Sequence, residues 1–198
     1  MEIEQGEVMK KVQKGTYGYI DAQRKIETIK TIVLFGLSAA IFLTGYLTTE
    51  TKKNLFTIVA VVSVLPAAKQ FATTVLFYKY PSGSKEAYEK ISKVTGKVTS
   101  VYDLVITSYD KISEILHIAI AGKTIIGYSE KAKTDEKFAA DFIKQILEQN
   151  GYKGISVKIF KNQETYLARL QEMQENIGGE EKKELEEAMA GVIKAISI

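Results

Sequence analysis

Histidines, cysteines and paired carboxylates supply most protein nucleophiles, general bases and metal ligands, and this sequence is short of them. Among 198 residues there is one histidine, His117, and no cysteine. Disulfides, thiolate nucleophiles and thiolate metal sites are thereby excluded, and one imidazole is too little for a histidine-based triad or a zinc centre. His117 lies in the alternating stretch Glu114–Ala121 (EILHIAIA), on the face of Ile115 and Ala119. A lone histidine placed there reads as a hydrogen-bonded structural residue. Asp103 and Glu114 are carboxylates near predicted strands, and with no lysine partner in register they read as solvated surface. The GxSxG, Walker and dinucleotide fingerprints are missing, and Gly15-Thr16-Tyr17-Gly18-Tyr19-Ile20 is followed by no GKS/T signature. The sequence thus names no catalytic, cofactor-binding or metal-binding residue and implies no cofactor. One residue stands in an expensive place: Lys69, one turn after Pro66, inside an apolar window. A lysine there either serves an ion, proton or lipid-headgroup site or snorkels to an interface.

The apolar windows must position that lysine. Thr31–Thr49 is nineteen residues without a charge, and Leu55–Tyr78 is twenty-four with only Lys69. A bilayer core about 30 Å thick needs roughly 20 such residues of helix. The five-residue connection Glu50-Thr51-Lys52-Lys53-Asn54 allows only an antiparallel hairpin. Pro66 removes a backbone donor and predicts a kink near Val62–Pro66. Either the second helix crosses tilted with Lys69 facing a protein interior, or Leu55–Ala68 nearly crosses and Lys69 reaches the headgroups on the cytosolic side, the preferred reading. Gly36, Ala40 and Thr44 form a small-residue row at spacing four, which Ser63 and Ala67 of the second helix are placed to face.

Charge sets the expected orientation. Residues 1–81 carry ten Lys/Arg against six Asp/Glu, and residues 82–198 seventeen against eighteen. The balanced C-terminal part lacks the basic stripe a nucleic-acid partner requires. Arg24, Lys25 and Lys30 flank the first helix; Lys79, Lys85, Lys90, Lys93 and Lys97 follow the second. The positive-inside rule then places both termini in the cytoplasm of a multi-pass cell-membrane protein, with the short loop outside. The apolar run starts too far from Met1 for a secretory signal.

The remaining elements predict an α/β domain. Asp21 is the expected cap of a helix entering the first window. Tyr80-Pro81-Ser82-Gly83 breaks the second helix, and Ser84 caps a third carrying Tyr88, Ile91, Val94 and Val98 on one face. Strands follow at Tyr102–Ser108, Glu114–Ala121 and Thr124–Tyr128, the last two joined by a type II′ turn at Gly122-Lys123. A helix after Thr134 turns Phe138, Ala139, Phe142, Ile146 and Leu147 inward and stops at Asn150-Gly151. Then come strand Ile155–Phe160, a helix Gln163–Ile177 capped by Asn162, the break Gly178-Gly179, and a final helix Glu180–Ile196 whose apolar end suits docking on its own domain or on a second copy. The fold class expected is an α+β membrane protein. A two-helix transmembrane hairpin carries a cytosolic domain with a four-stranded mixed sheet in the order α-β-β-β-α-β-α. The divisions are 1–29, 30–80 (helices about 31–49 and 55–78), 81–177 and 178–198.

This element order resembles the core of restriction-endonuclease-like nucleases. Those enzymes place an acid on one central strand and Glu-x-Lys on the next to hold a divalent metal. Here the third strand reads Thr124-Ile125-Ile126-Gly127-Tyr128, so the resemblance implies such a domain without a recognisable active site. A second resemblance rests on Gly15-Thr16-Tyr17-Gly18-Tyr19-Ile20, Gly45-Tyr46-Leu47-Thr48-Thr49, Lys53-Asn54-Leu55-Phe56-Thr57 and Leu65-Pro66-Ala67-Ala68-Lys69. These segments resemble a group of small bacterial two-helix membrane proteins of unassigned function, some labelled "O-linked GlcNAc transferase-like". The sequence has no 34-residue helical repeat and too small a polar part for a nucleotide-sugar transferase, so the group lends no catalytic residues. The function expected is that of a membrane-anchored, non-enzymatic interaction or scaffold protein. Its partners are lipid and further copies of itself, with no nucleic acid. The alternatives are a channel or transporter subunit using Lys69 and the nuclease-like domain.

Overall fold

The structure, a computed structural model, describes residues 12–108, 111–175 and 180–198. The chain divides into two units. Ile20–Pro81 forms one; the segment up to Tyr19 together with Ser82–Ile198 forms the other.

The first unit is a pair of long apolar helices, α1 (Tyr19–Thr49) and α2 (Leu55–Lys79), both long and apolar enough to span a membrane. α1 starts at Tyr19 rather than after Asp21, because Gly18 (φ +82°) closes the preceding turn. Asp21 instead occupies the first turn, ion-paired to Arg24 at 3.2 Å, where the positive helix end favours a carboxylate. The tip is locked by Asn54. Its Oδ1 accepts the Thr57 amide at 2.9 Å to cap α2, and its Nδ2 donates to the Gly45 carbonyl (3.0 Å), Thr49 Oγ1 (2.6 Å) and the Thr51 carbonyl (2.7 Å). α2 continues through Pro66 as one helix to Lys79.

The second unit holds a four-stranded mixed sheet: β1 (Thr99–Thr107), β2 (Ile112–Ala121), β3 (Thr124–Tyr128) and β4 (Ser156–Phe160), in that spatial order. The first two pairings are antiparallel and β3–β4 is parallel. α3 (Lys85–Thr95) and α5 (Gln163–Glu175) cover one face, where Ile91, Tyr166 and Leu170 meet Leu116, Ala119 and Ile126. α4 (Glu136–Gln149) and α6 (Glu180–Ala195) cover the other, where Ile143, Leu147, Met189 and Ile193 meet Ile106, Ile118 and Ile125. The expected caps Ser84 and Asn162 each accept an amide hydrogen of the first turn, and Asp135 does the same for α4. Gly122 adopts φ +57°, as its tight turn requires.

Several boundaries and faces differ from the sequence reading. β1 begins at Thr99, three residues early. In α4 the buried line is Ala139, Ile143 and Leu147, while Phe138 and Phe142 stack on its half-exposed flank, rings 6.3 Å apart. α6 is no separate element: Met189, Ala190 and Ile193 complete the domain's own core, so its apolar end is occupied within the chain. Residues 12–19 group with the domain, whereas 20–29 already belong to α1. The expected break at Gly178-Gly179 and the end of α5 at Ile177 lie outside the described residues.

Candidate functional site

The hairpin is inside out by the standards of a water-soluble protein. Apart from Ile20 at the start of α1 and Phe77 at the end of α2, its buried positions are small or polar: Glu27, Thr31, Ser38 and Gly45 on α1, and Ala60, Ala67 and Thr74 on α2. Thr31, Ser38, Gly45 and Ala60, Ala67, Thr74 recur every seven residues, the spacing of a left-handed helix seam, and small side chains there let the backbones approach. Hydroxyl pairs cross the seam between Thr31 and Thr74 (2.8 Å) and between Ser63 and Ser38 (2.7 Å). Near one end the buried Glu27 carboxylate accepts hydrogen bonds from Gln23 (2.7 Å), from Lys30 (2.8 Å) and, across the seam, from Gln70. The large apolar side chains face outward, among them Ile32, Leu37, Leu47, Leu55, Val61 and Leu65.

The predicted positions divide between the two faces. Ser63 and Ala67 lie in the seam opposite Thr31, Ser38 and Gly45, and do not face the row Gly36, Ala40 and Thr44. That row is exposed, and a Cβ added at Gly36 would meet nothing within 4 Å. Pro66 and Lys69 are exposed too, so Lys69 does not face the interior of its own hairpin. The seven-residue recurrence was the signal that identifies the seam. A Cβ at Gly45 would sit 2.3 Å from Phe56 Cβ. Gly45→Val should therefore force the tip apart and cost about 2–3 kcal/mol, read as a lower midpoint of thermal unfolding in detergent; an unchanged midpoint would show that the seam is not tightly closed there.

Asp103 is not solvated surface. It is buried in β1 with φ +51°, a left-handed conformation that non-glycine residues seldom take. Its Oδ2 accepts the Gly18 amide at 2.6 Å and its Oδ1 the Gly83 amide at 3.2 Å. Gly18 immediately precedes α1, and Gly83 follows the end of α2 by four residues. Both connections to the hairpin are thus held by one carboxylate. The ladder skips Asp103 and Leu116, passing from Tyr102↔His117 to Leu104↔Ile115, and side-chain alternation inverts there. Tyr102 packs with the α3/α5 face and Leu104 with the opposite one. Gly83 lies against Leu116, where a Cβ would be 2.3 Å from Leu116 Cδ1. Around this point the Gly15 carbonyl accepts the Tyr102 amide (2.8 Å), the Tyr17 hydroxyl donates to the Gly83 carbonyl (3.0 Å), and Tyr17 stacks on Tyr88 at 4.0 Å.

The same inversion moves His117 away from the face of Ile115, leaving it with Ala119, Tyr102 and Tyr166. Its Nδ1 shares a 2.5 Å hydrogen bond with the Tyr166 hydroxyl, and the Tyr102 ring lies 4.3 Å away. Complete burial pushes the imidazole pKa down to about 3 and the Tyr166 phenol well up, so both are neutral at physiological pH. This pair pins α5 to the sheet. Glu114 is half-buried and 3.8 Å from Lys131; with Asp103 committed to two backbone amides, the two carboxylates form no joint site. Compared with known proteins, the chain matches no family model, no curated protein and no solved structure.

Proposed function

We propose that Ile20–Pro81 inserts into a bilayer as an antiparallel hairpin. Both termini and the α/β domain then lie in the cytoplasm, and the protein acts as a membrane-anchored, non-enzymatic interaction or scaffold protein that self-associates. The observation that carries this is the inverted hairpin. Only 17% of the apolar window of α1 and 11% of that of α2 is buried, while hydroxyls and a carboxylate occupy the seam. Water would penalise that outward apolar surface at about 25 cal/mol per Å²; hydrocarbon would not. The nineteen uncharged residues of α1 rise about 28 Å, close to the hydrocarbon thickness.

The two hydroxyl pairs fix the level of Lys69 within the hairpin, between those of Thr31 and Ser38. Averaged over the two pairs it lies about 6 Å deeper than the level of Lys30, close to the reach of its own side chain. That supports an interfacial, snorkelling lysine on the side of Arg24, Lys25, Lys30 and Lys79. Self-association is supported by the exposed Gly36, Ala40 and Thr44, small residues left open on a helix whose seam lies elsewhere.

Because the chain has no cysteine, introduced ones report singly. In native membranes, Lys52→Cys should react with impermeant maleimide from outside and Lys153→Cys only after permeabilisation, with the protein resisting alkaline extraction. Ala40→Cys should cross-link to a dimer or higher species. Extraction into plain buffer would sink the anchor, and monomer alone after cross-linking would sink self-association.

A further inference from the structure

Within the α/β unit, a polar groove of about 1020 Å³ runs between residues 13–16, the turn into β1 and α6. Lys14, Lys97, Lys183 and Lys194 line it, against two carboxylates, Glu186 and Glu187. Glu186 is committed elsewhere: its Oε2 accepts the Thr99 hydroxyl at 2.9 Å and its Oε1 the Gly122 amide at 2.6 Å. None of the four lysines makes an ion pair among the described residues, although eight other ion pairs are formed there. Lys14 is partly withdrawn from water and donates at 2.5 Å to the Ser197 carbonyl, a neutral partner. Burial pulls its pKa down, the expected response of an ammonium without a counter-charge.

Four lysines against two carboxylates, one of them already committed, leave the groove lining net positive, a charge that a multivalent anion offsets. Lysines bind phosphate as mobile point charges, and the groove is of ligand-site size, far larger than one ion requires. We infer that this groove binds a phosphate-bearing ligand through Lys14, Lys97, Lys183 and Lys194. Thr16 on its wall precedes α1 by three residues, at most about 11 Å of chain, and α1 rises about 18 Å more before its uncharged window begins at Thr31. An anionic lipid headgroup is therefore a source to test beside a soluble polyphosphate; only the headgroup source rests on the proposed membrane anchoring.

The full chain in neutral detergent is titrated with tripolyphosphate. In parallel it is reconstituted in phosphatidylcholine vesicles with and without phosphatidic acid, and lysine acetylation is mapped by mass spectrometry in each case. A bound phosphate should slow labelling of the four groove lysines about fivefold or more, and Lys97→Glu with Lys194→Glu should weaken tripolyphosphate binding about tenfold, the loss expected for about 1.4 kcal/mol. Lys153→Glu, on the exposed surface outside the groove, should leave it unchanged, and tyrosine near-UV circular dichroism verifies that each variant folds. Protection by tripolyphosphate assigns a soluble ligand; protection only by phosphatidic acid assigns a headgroup. No protection by either probe, or equal affinity in the groove and Lys153→Glu variants, overturns the inference. The tripolyphosphate arm is independent of membrane insertion, so its failure is distinct from failure of the anchor.

Discussion

Asp103→Ala should destabilise the α/β domain by about 3–5 kcal/mol, the largest effect expected of a single substitution. Two backbone amides lose a charged acceptor at once, and a hydrogen bond to a charged group is worth about 1.5–3 kcal/mol. The left-handed backbone remains to be adopted, now by a residue with no polar group to favour it. A graded series separates these contributions. Asp103→Gly relaxes the backbone by about 1 kcal/mol but restores no acceptor, so it should fall slightly above alanine. Asp103→Asn tolerates the conformation and keeps one acceptor oxygen, but its NH₂ meets an amide donor; it should retain about half of the lost stability. Urea unfolding followed by tyrosine near-UV circular dichroism gives the ranking, since the chain has eleven tyrosines and no tryptophan. Limited proteolysis should also cut faster within residues 12–18 and 82–84 in the alanine variant. An alanine variant within about 1 kcal/mol of the parent, with unchanged cleavage, would mean that the carboxylate is not what holds those two segments.

The reason to expect so much from one aspartate is invisible to pattern reading. Alternation along Tyr102–Ser108 assigns faces on the assumption of an unbroken pleat. One left-handed residue reverses every later assignment, so Tyr102 and Leu104 part company and His117 changes neighbours. An aspartate tolerates this conformation but does not announce it, because what selects it is a pair of amides distant in sequence, at Gly18 and Gly83. Local chemistry was legible by contrast. Ser84 and Asn162 cap their helices because a short polar side chain can satisfy an amide of its own first turn without help from the rest of the fold.

The hairpin illustrates the opposite limit. A helix apolar on all sides has no amphipathic face to point inward, so spacing four at Gly36, Ala40 and Thr44 and spacing seven at Thr31, Ser38 and Gly45 compete on equal terms. The partner decides: Thr74 and Ser63 offer hydroxyls to the second set, and Phe56 closes on Gly45. The burial of Glu27 is hidden from the sequence for a related reason. The residue precedes the uncharged window, where a charge reads as a solvated flank, yet Gln70 reaches it from the other helix. For α6, the apolar end could have met either its own sheet or a second copy; Met189 and Ile193 join Ile118 and Ile125 in the core of its own domain.

Acid should unfold the domain through His117. The folded-state pKa, about 3, lies below the ordinary 6.5, so below pH 6.5 the unfolded chain binds a proton that the native state refuses. Stability is then complete above pH 6.5 and falls as pH drops from there towards 3, by about 1.4 kcal/mol per unit. By pH 4.5 the loss reaches about 2–3 kcal/mol, before most carboxylates titrate. Urea midpoints at pH 7.5, 5.5 and 4.5 measure it. Tyr166→Phe strips His117 Nδ1 of its partner and should cost about 1–3 kcal/mol at every pH while leaving the slope intact. Combining His117→Leu with Tyr166→Phe removes both polar groups from the core and should recover part of that loss, because neither partner is left unpaired. The double variant should also lose most of the pH dependence between 6.5 and 4.5. If its slope equals that of the parent, the acid sensitivity belongs to other groups and the imidazole is reached by water. The buried pair would then be a weaker link between α5 and the sheet than its geometry implies.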